Sequence, residues 1–399
     1  MAIFSTRSRG VETSRDDWAY NFSRRAVQQN MRRMIDFYNS QVRDFGERCR
    51  SAGKDAEGMA KRLIDTDPKK IKWTRGLIGH FARVREAEFT EGRMGIGLYR
   101  PFSKQWLYYD RQFNEYFKEK IFPTTRHQNL AIGVIGVVER KGFSCLIVDA
   151  LPNLHTLDTA QFFPLYHYER AVETKPVGGL FDGASAQADE DGYVRRDAIH
   201  DAALSDYRAA CGDESITKED LFFYVYGLLH APDYRERFAA DLKKMLPRIP
   251  RPARAEDFWA FSKAGRALAD LHLNYETIEP YPLQEVLHST IEDWRVVKMR
   301  YPSKADKTAI LYNAHLTLKG IPPEALEYVV NGKPAIEVLM DQYQVTTDKD
   351  SGIVNDPNRW AEEHGQPRYI VDLIKRVVRV SVETVKIVKG LPALGEAEN

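Results

Sequence analysis

His155, His167 and Glu169 fall close together in LPNLHTLDTAQFFPLYHYE, and two imidazoles with a carboxylate are donor types that hold a divalent cation. They sit beside strand-like runs among aromatic residues, where a histidine bonded to its neighbours is the plainer expectation. Asp149 ends the run FSCLIVD as a nuclease carboxylate would, yet no Glu-x-Lys follows on a neighbouring run, and a turn or cap role is the simpler one. Trp18, Tyr20 and Phe22 could stack on bases, though their spacing suits core packing. Several signatures are absent: the Gly-x4-Gly-Lys-Ser/Thr phosphate loop, the His-Glu-x-x-His zinc helix and the Gly-x-Ser-x-Gly elbow. GRMGIG at 92–97 is misplaced for a dinucleotide loop, and IPPE at 321–324 lacks the amide and ring by which amino-methyltransferases hold a flipped base. No catalytic unit is legible, and neither a catalytic residue nor a metal site is assigned.

A different chemistry is suggested by YRPFSKQWLYYD, residues 99–110, which interleaves cations with aromatic rings. Such a stretch suits a surface that grips nucleic acid, though its spacing more plainly suits a β-hairpin whose rings are core. Net charge is +1, but it is unevenly spread: residues 1–126 hold 26 Lys and Arg against 16 Asp and Glu, residues 127–240 hold 10 against 18, and the remainder 22 against 23. A polyanion would meet the first third most readily, because clustered cations raise the local potential whatever the total.

The elements that must position these residues read as α+β, with a helical N-terminal segment followed by a mixed sheet-containing part with flanking helices. Trp18, Phe22, Val27, Met31, Met34, Ile35, Tyr38 and Val42 predict an amphipathic helix over 15–50. From about residue 93, GIGLYRPF, QWLYYD, NLAIGVIGVVER and FSCLIVDALP predict strands. Residues 171–200 lack periodicity and predict a loop; Thr217 and Asp220 have capping-box spacing ahead of a helix that Ala231-Pro232 breaks. A further helix is expected from Asp257, then strands in TAILYNAHLTLKGIP, helices around a turn in ALEYVVNGKPAIEVLMDQYQV, and a closing helix in YIVDLIKRVVRVSVETVKIV. Cys49, Cys145 and Cys211 lack paired spacing, and no run of about 18 apolar residues occurs, so a soluble cytoplasmic chain without signal peptide or membrane span is expected.

Four stretches, RSRGVETSRDDWAYNFS, YRPFSKQWLYYD, DLFFYVYGLLHAPDYRERFAADLKKMLPRIP and DQYQVTTDKDSGIVNDPNRW, together resemble the C-terminal target recognition region of Type ISP restriction-modification enzymes. The resemblance spans nearly the whole chain. It implies a division into a helical spacer at 1–85 that joins a methyltransferase unit, a β-rich recognition subdomain at 86–250 with a helical end, and a second α+β recognition subdomain at 251–399. It implies recognition of a short double-stranded DNA site, with a methyltransferase and a translocase as partner modules in cis or trans. S-adenosylmethionine, ATP and Mg would belong to modules whose motifs are missing here, and the sequence leaves open whether the chain is a fragment or a separate subunit. Arg100, Lys104, Arg126, His127, Ser262, Lys263, Lys349, Asn355 and Arg359 are the expected DNA contacts, taken to lie on motif turns with unpaired donors. Two alternatives are a protein-interaction module that docks the methyltransferase or translocase without touching bases, and a stand-alone metal-dependent enzyme around Asp149, His155 and Glu169.

Overall fold

The hairpin at the centre of YRPFSKQWLYYD shows how the chain organises itself. In the computed structural model, which describes residues 2–52, 56–135, 141–171, 188–252 and 254–394, strand Met94–Arg100 pairs antiparallel with Ser103–Tyr108 through the turn at Pro101 and Phe102. Phe102 takes a left-handed φ of 58°, which is uncommon for a bulky residue. Its ring is buried edge-on to Tyr275 at 5.2 Å, so packing offsets the backbone cost. Tyr108 is core as expected of the hairpin's rings, Leu98 is core beside it, and Trp106 is half-buried between Trp360 and the Arg24 guanidinium.

This hairpin is the middle of a four-stranded sheet. Tyr20–Asn21 flanks Ser103–Tyr108, and Leu151–Pro152 flanks Met94–Arg100 in parallel. A second, antiparallel sheet orders Ser8–Arg9, Gln161–Pro164, Ala131–Val134 and Cys145–Val148. A three-stranded sheet places Leu316–Lys319 between Gln284–Leu287 and Ala309–Leu311. The fold is α+β, and its buried apolar residues form two clusters. One joins the long helix Arg24–Ala52, the central hairpin and the closing helix Tyr369–Lys389; the other joins the second sheet to helices Lys218–Leu228 and Ala255–Leu273.

Those last two helices touch backbone to backbone because two glycines meet. A Cβ on Gly265 would lie 1.9 Å from the Phe223 carbonyl oxygen, and one on Gly227 2.1 Å from that of Phe261. The capping box at Thr217 and Asp220 is formed, and Pro232 opens the next helix, Pro232–Arg237. A buried polar relay ties the closing helix to the pair: Tyr226 Oη lies 2.6 Å from His272 Nδ1, and His272 Nε2 lies 2.9 Å from Thr384 Oγ1.

Three expectations are corrected. The N-terminal helix is broken: a single turn at Asp16–Ala19 is separated from Arg24–Ala52, because Tyr20–Asn21 is drawn into the sheet and Ser23 Oγ accepts from the Ala26 N–H at 3.0 Å in the manner of an N-cap. Strand Tyr193–Asp197, paired with Tyr166–Arg170, lies in the stretch expected as loop, while 172–187 of that stretch fall outside the described residues, as do 136–140 of the NLAIGVIGVVER run. Where a helix was expected after Leu326, Val329–Val330 and Lys333–Pro334 form a hairpin. Asn331 and Gly332 take φ of 55° and 80° there, and the helix Ala335–Gln342 follows. No described helix is long and apolar enough to cross a membrane.

Candidate nucleic-acid interface

Three of the four family-like stretches converge on one groove of about 280 Å³. The first contributes Asp16, Asp17 and Tyr20, the second Arg100 and Gln105, the last Asp348 and Asn355. Its character is acidic around one guanidinium. Burial, reinforced by Asp348 and Asp16, pushes the Asp17 carboxyl above its ordinary range. Arg100 stacks 4.0 Å from the Tyr99 ring centroid and donates to the Tyr99 carbonyl (2.6 Å) and to Asn153 Oδ1 (2.9 Å). Asn355 Oδ1 accepts from the Phe22 N–H (3.0 Å), while Nδ2 donates to Gln105 Oε1 (3.2 Å). Carboxylates here disfavour a phosphate, whereas amide and carboxylate oxygens are the acceptors that exocyclic base amines use.

The other expected contacts are dispersed. Lys104, near the groove, is 17% exposed and pairs with Glu276 at 2.8 Å. Burial disfavours its ammonium, but Glu276 and Asp149 outweigh that and raise its pKa. Arg126 and His127 occupy a separate corner, with Arg126 on Asp191 and the His127 ring edge-on to Tyr168 and Tyr193, its Nε2 2.9 Å from Asp189. Ser262 and Lys263 lie inside the helix Ala255–Leu273 and not on a turn. Ser262 is 1% exposed and donates to the Asp220 carbonyl at 2.9 Å, which turns it toward the neighbouring helix, while Lys263 is exposed. Lys349 is exposed at the tip between Thr346–Thr347 and Val354–Asn355, and Arg359 pairs with Glu362 at 2.7 Å. The premise of unpaired donors thus fails for seven of the nine, and of the other two Lys263 stands on a helix and only Lys349 on a turn. Only Lys263 and Lys349 have no partner among the described residues, because motif side chains satisfy nearby backbone and carboxylates first.

The groove opens beside a continuous surface held by side-chain to backbone bonds. Asn21 Nδ2 donates to the Val354 carbonyl (2.9 Å), fixing the 346–355 hairpin to the sheet. Asn358 clips Val296 at both its N–H (2.8 Å) and its carbonyl (2.7 Å), and the Val345 N–H donates to Val297 O (3.0 Å). Glu363 accepts from Ser23 Oγ (2.6 Å) and the Arg24 N–H (2.8 Å), placing a carboxylate at the positive end of the long helix. Lys298, Lys349 and Arg359 stand exposed on these elements beside Val297 and Val354. Sequence reasoning missed Asn21, Asn358 and Glu363; the asparagines before and after Asp-Pro in VNDPNRW were the available signal. Asp356 builds that turn, its Oδ1 accepting from the Asn358 N–H at 3.0 Å.

The alternative centres are not assembled. His155 lies 3.7 Å from Asp158, and His167 is 3.3 Å from a Glu169 that also binds Arg196; among the described residues no group of three or more His, Cys, Asp or Glu could hold a metal ion. Trp18, Tyr20 and Phe22 are all buried.

Residues 2–373 match the sequence model of the Type ISP C-terminal specificity domain. No curated protein matches the chain. Among solved structures it is similar to the ATP-dependent Type ISP restriction-modification enzyme LlaBIII bound to DNA, with a TM-score of 0.83 and 33% identity over 99% of this chain and 23% of that one. It is likewise similar to a nuclease-deletion mutant of the Type ISP enzyme LlaGI in complex with a DNA substrate mimic, with a TM-score of 0.82 and 34% identity over 100% of this chain and 34% of that one. A DrdV–DNA complex gives a TM-score of 0.80 and 29% identity over 99% of this chain and 36% of the other. The chain therefore spans between about a quarter and a third of the length of the structures it matches. With its sequence matched almost from end to end and its fold shared across the same span, the chain belongs to the Type ISP C-terminal specificity domain family.

Proposed function

We propose that this chain recognises a short double-stranded DNA sequence for a restriction-modification enzyme and performs no catalysis itself. The observation that carries this reading is end-to-end similarity, at about a third identity, to the corresponding region of two Type ISP enzymes solved on DNA or a DNA mimic. Cleavage, translocation and methylation, with their ATP, Mg and S-adenosylmethionine, are assigned to modules outside the chain, joined in cis or in trans, in the cytoplasm. On the same reading residues 1–85 act as the helical join, and 86–250 and 251–399 as the two recognition subdomains.

Binding would divide into two tasks. Cations neutralise phosphates and supply affinity with steep salt dependence, while a few polar side chains meet base edges in the major groove and set the sequence. The carboxylates of the acidic groove, beside the exposed 346–355 hairpin, have the acceptor chemistry for the second task. Docking would present one base to a methyltransferase, which takes it out of the stack to reach it.

The test is a selection of random duplex DNA on the purified chain, followed by titration of the enriched sequence against a scrambled duplex at two salt concentrations. One enriched asymmetric site, bound more tightly than the scrambled control and weakened by salt, is the expected result. Equal and weak binding of both duplexes would remove the reading and favour a module that docks other protein parts.

A further inference from the structure

The first turns of the helix Arg24–Ala52 read RRAVQQNMRR, with pairs of arginine, glutamine and arginine one turn apart. Residues three and four apart share a helix face, so Arg25, Gln29, Arg32 and Arg33 line up, and all four are exposed. From Arg25 to Arg33 the axis advances about 12 Å, the rise of three to four successive phosphates along one DNA strand. Arg25 and Gln29 have no hydrogen-bond or ionic partner among the described residues. Arg32 lies 4.0 Å from the Phe89 ring centroid and reaches Glu91 only at 3.9 Å, and Arg33 lies 4.9 Å from that of Trp18. Two of the three guanidinium groups are thus steadied on rings, which spends little of their hydrogen-bonding capacity. The nearby carboxylates do not cancel them: Glu91 is taken by Arg24 and Gln28, and Glu363 caps the helix start. Asp36 is the next acidic residue along the same face.

We infer that this face is a track for the sugar–phosphate backbone of duplex DNA, with Arg25, Arg32 and Arg33 on phosphates and Gln29 hydrogen-bonded between them. The inference rests on the DNA-recognition reading above and deepens it. Charge complementarity favours a polyanion. Continuity favours it as well. The helix begins beside the 346–355 hairpin, to which Asn21 and Phe22 are bonded just ahead of it.

The experiment uses the whole chain and its selected duplex, with affinity measured from 50 to 200 mM salt, for wild type and for the triple variant Arg25→Gln, Arg32→Gln, Arg33→Gln. Removing three phosphate-neutralising cations makes the salt slope shallower by about 2.7, so over that range the wild type weakens about 40-fold more than the variant. The preferred sequence stays the same, since phosphate contacts do not read bases. The matching triple Arg→Lys variant keeps the wild-type slope, and Lys243→Gln with Lys244→Gln, exposed on another element, leaves it unchanged; thermal melting confirms that each variant is folded. A Gln variant with the wild-type slope would overturn the inference, leaving the DNA reading intact and the face for an acidic protein surface. A wild type that binds no duplex would overturn both.

Discussion

His272 should make this protein acid-sensitive, by an amount that can be worked out. The ring is buried, accepts or donates at both nitrogens to Tyr226 and Thr384, and stacks on Tyr328 with a 6° interplanar angle. Burial pushes its pKa from the ordinary 6.5 down to about 3. A depressed histidine pKa means that the unfolded chain binds the proton more readily. Stability is therefore complete above pH 6.5 and falls as the pH drops toward 3. At pH 5 the gap is about 1.5 units, and at 1.36 kcal/mol per unit the cost is about 2 kcal/mol. His230, also buried and held well below its ordinary value by desolvation, by Arg235 and by His272 itself, loses stability in the same direction. Urea unfolding of the wild type and of His272→Gln at pH 7.5 and pH 5.0 isolates the share of His272 and of its hold on His230, because the carboxylates are common to both proteins. The wild type should lose about 2 kcal/mol more than the variant between the two pH values, from a total that for a folded domain is about 5–15 kcal/mol. Equal losses in the two proteins would show that the buried relay does not hold His272 neutral, and would refute the reasoning.

Gly265→Ala, whose Cβ would press on the Phe223 carbonyl, should cost about 1–3 kcal/mol or more in denaturant unfolding. Gly79→Ala, in a helix with nothing near the new methyl, should be neutral or stabilising by up to about 1 kcal/mol. Thr217→Ala removes one arm of the capping box and should cost about 1 kcal/mol, read as a lower urea midpoint with unchanged slope. Asn355→Ala leaves the Phe22 N–H without its acceptor and should lower stability by about 1–3 kcal/mol; a fall in DNA affinity with no change in melting would instead assign Asn355 to base contact.

Elements were legible where one signal governed them. The central hairpin, the capped helix after Thr217 and the closing helix all follow from periodicity or from a cap, which are local properties of the chain. The misplacements arose where a local signal was present but outranked. Asn331-Gly332 is a turn dipeptide with left-handed φ at both residues, yet the apolar residues around it also fit a helix. Ser23 is a good N-cap, but Trp18 and Phe22 extend the apolar pattern past it, and only the sheet partner at Leu107 and Trp106 decides that Tyr20–Asn21 is strand. Contacts such as Asn21 with Val354 join residues more than three hundred positions apart, and no local rule reaches them.

The candidate site was harder to read for a physical reason. Motif residues were chosen as free donors, but in a folded chain a polar side chain on a turn first satisfies the backbone around it, since leaving an N–H unpaired costs more than a contact with solvent or ligand returns. Asn355 and Arg100 are spent on backbone in this way, and Ser262, within a helix, on the Asp220 carbonyl of the neighbouring one. Uncommitted donors remain where side chains have no backbone to satisfy, on the solvent face of a long helix whose own amides are already paired. By that criterion Arg25, Gln29 and Arg33 stand out, and RRAVQQNMRR carried the signal within a segment already known to be basic. On the proposed reading the chain separates two chemistries in space. An acidic, amide-rich groove that repels phosphates and suits base edges lies beside a cationic helix face that suits phosphates and cannot tell bases apart. A module that reads sequence needs both, and needs them on adjoining surfaces.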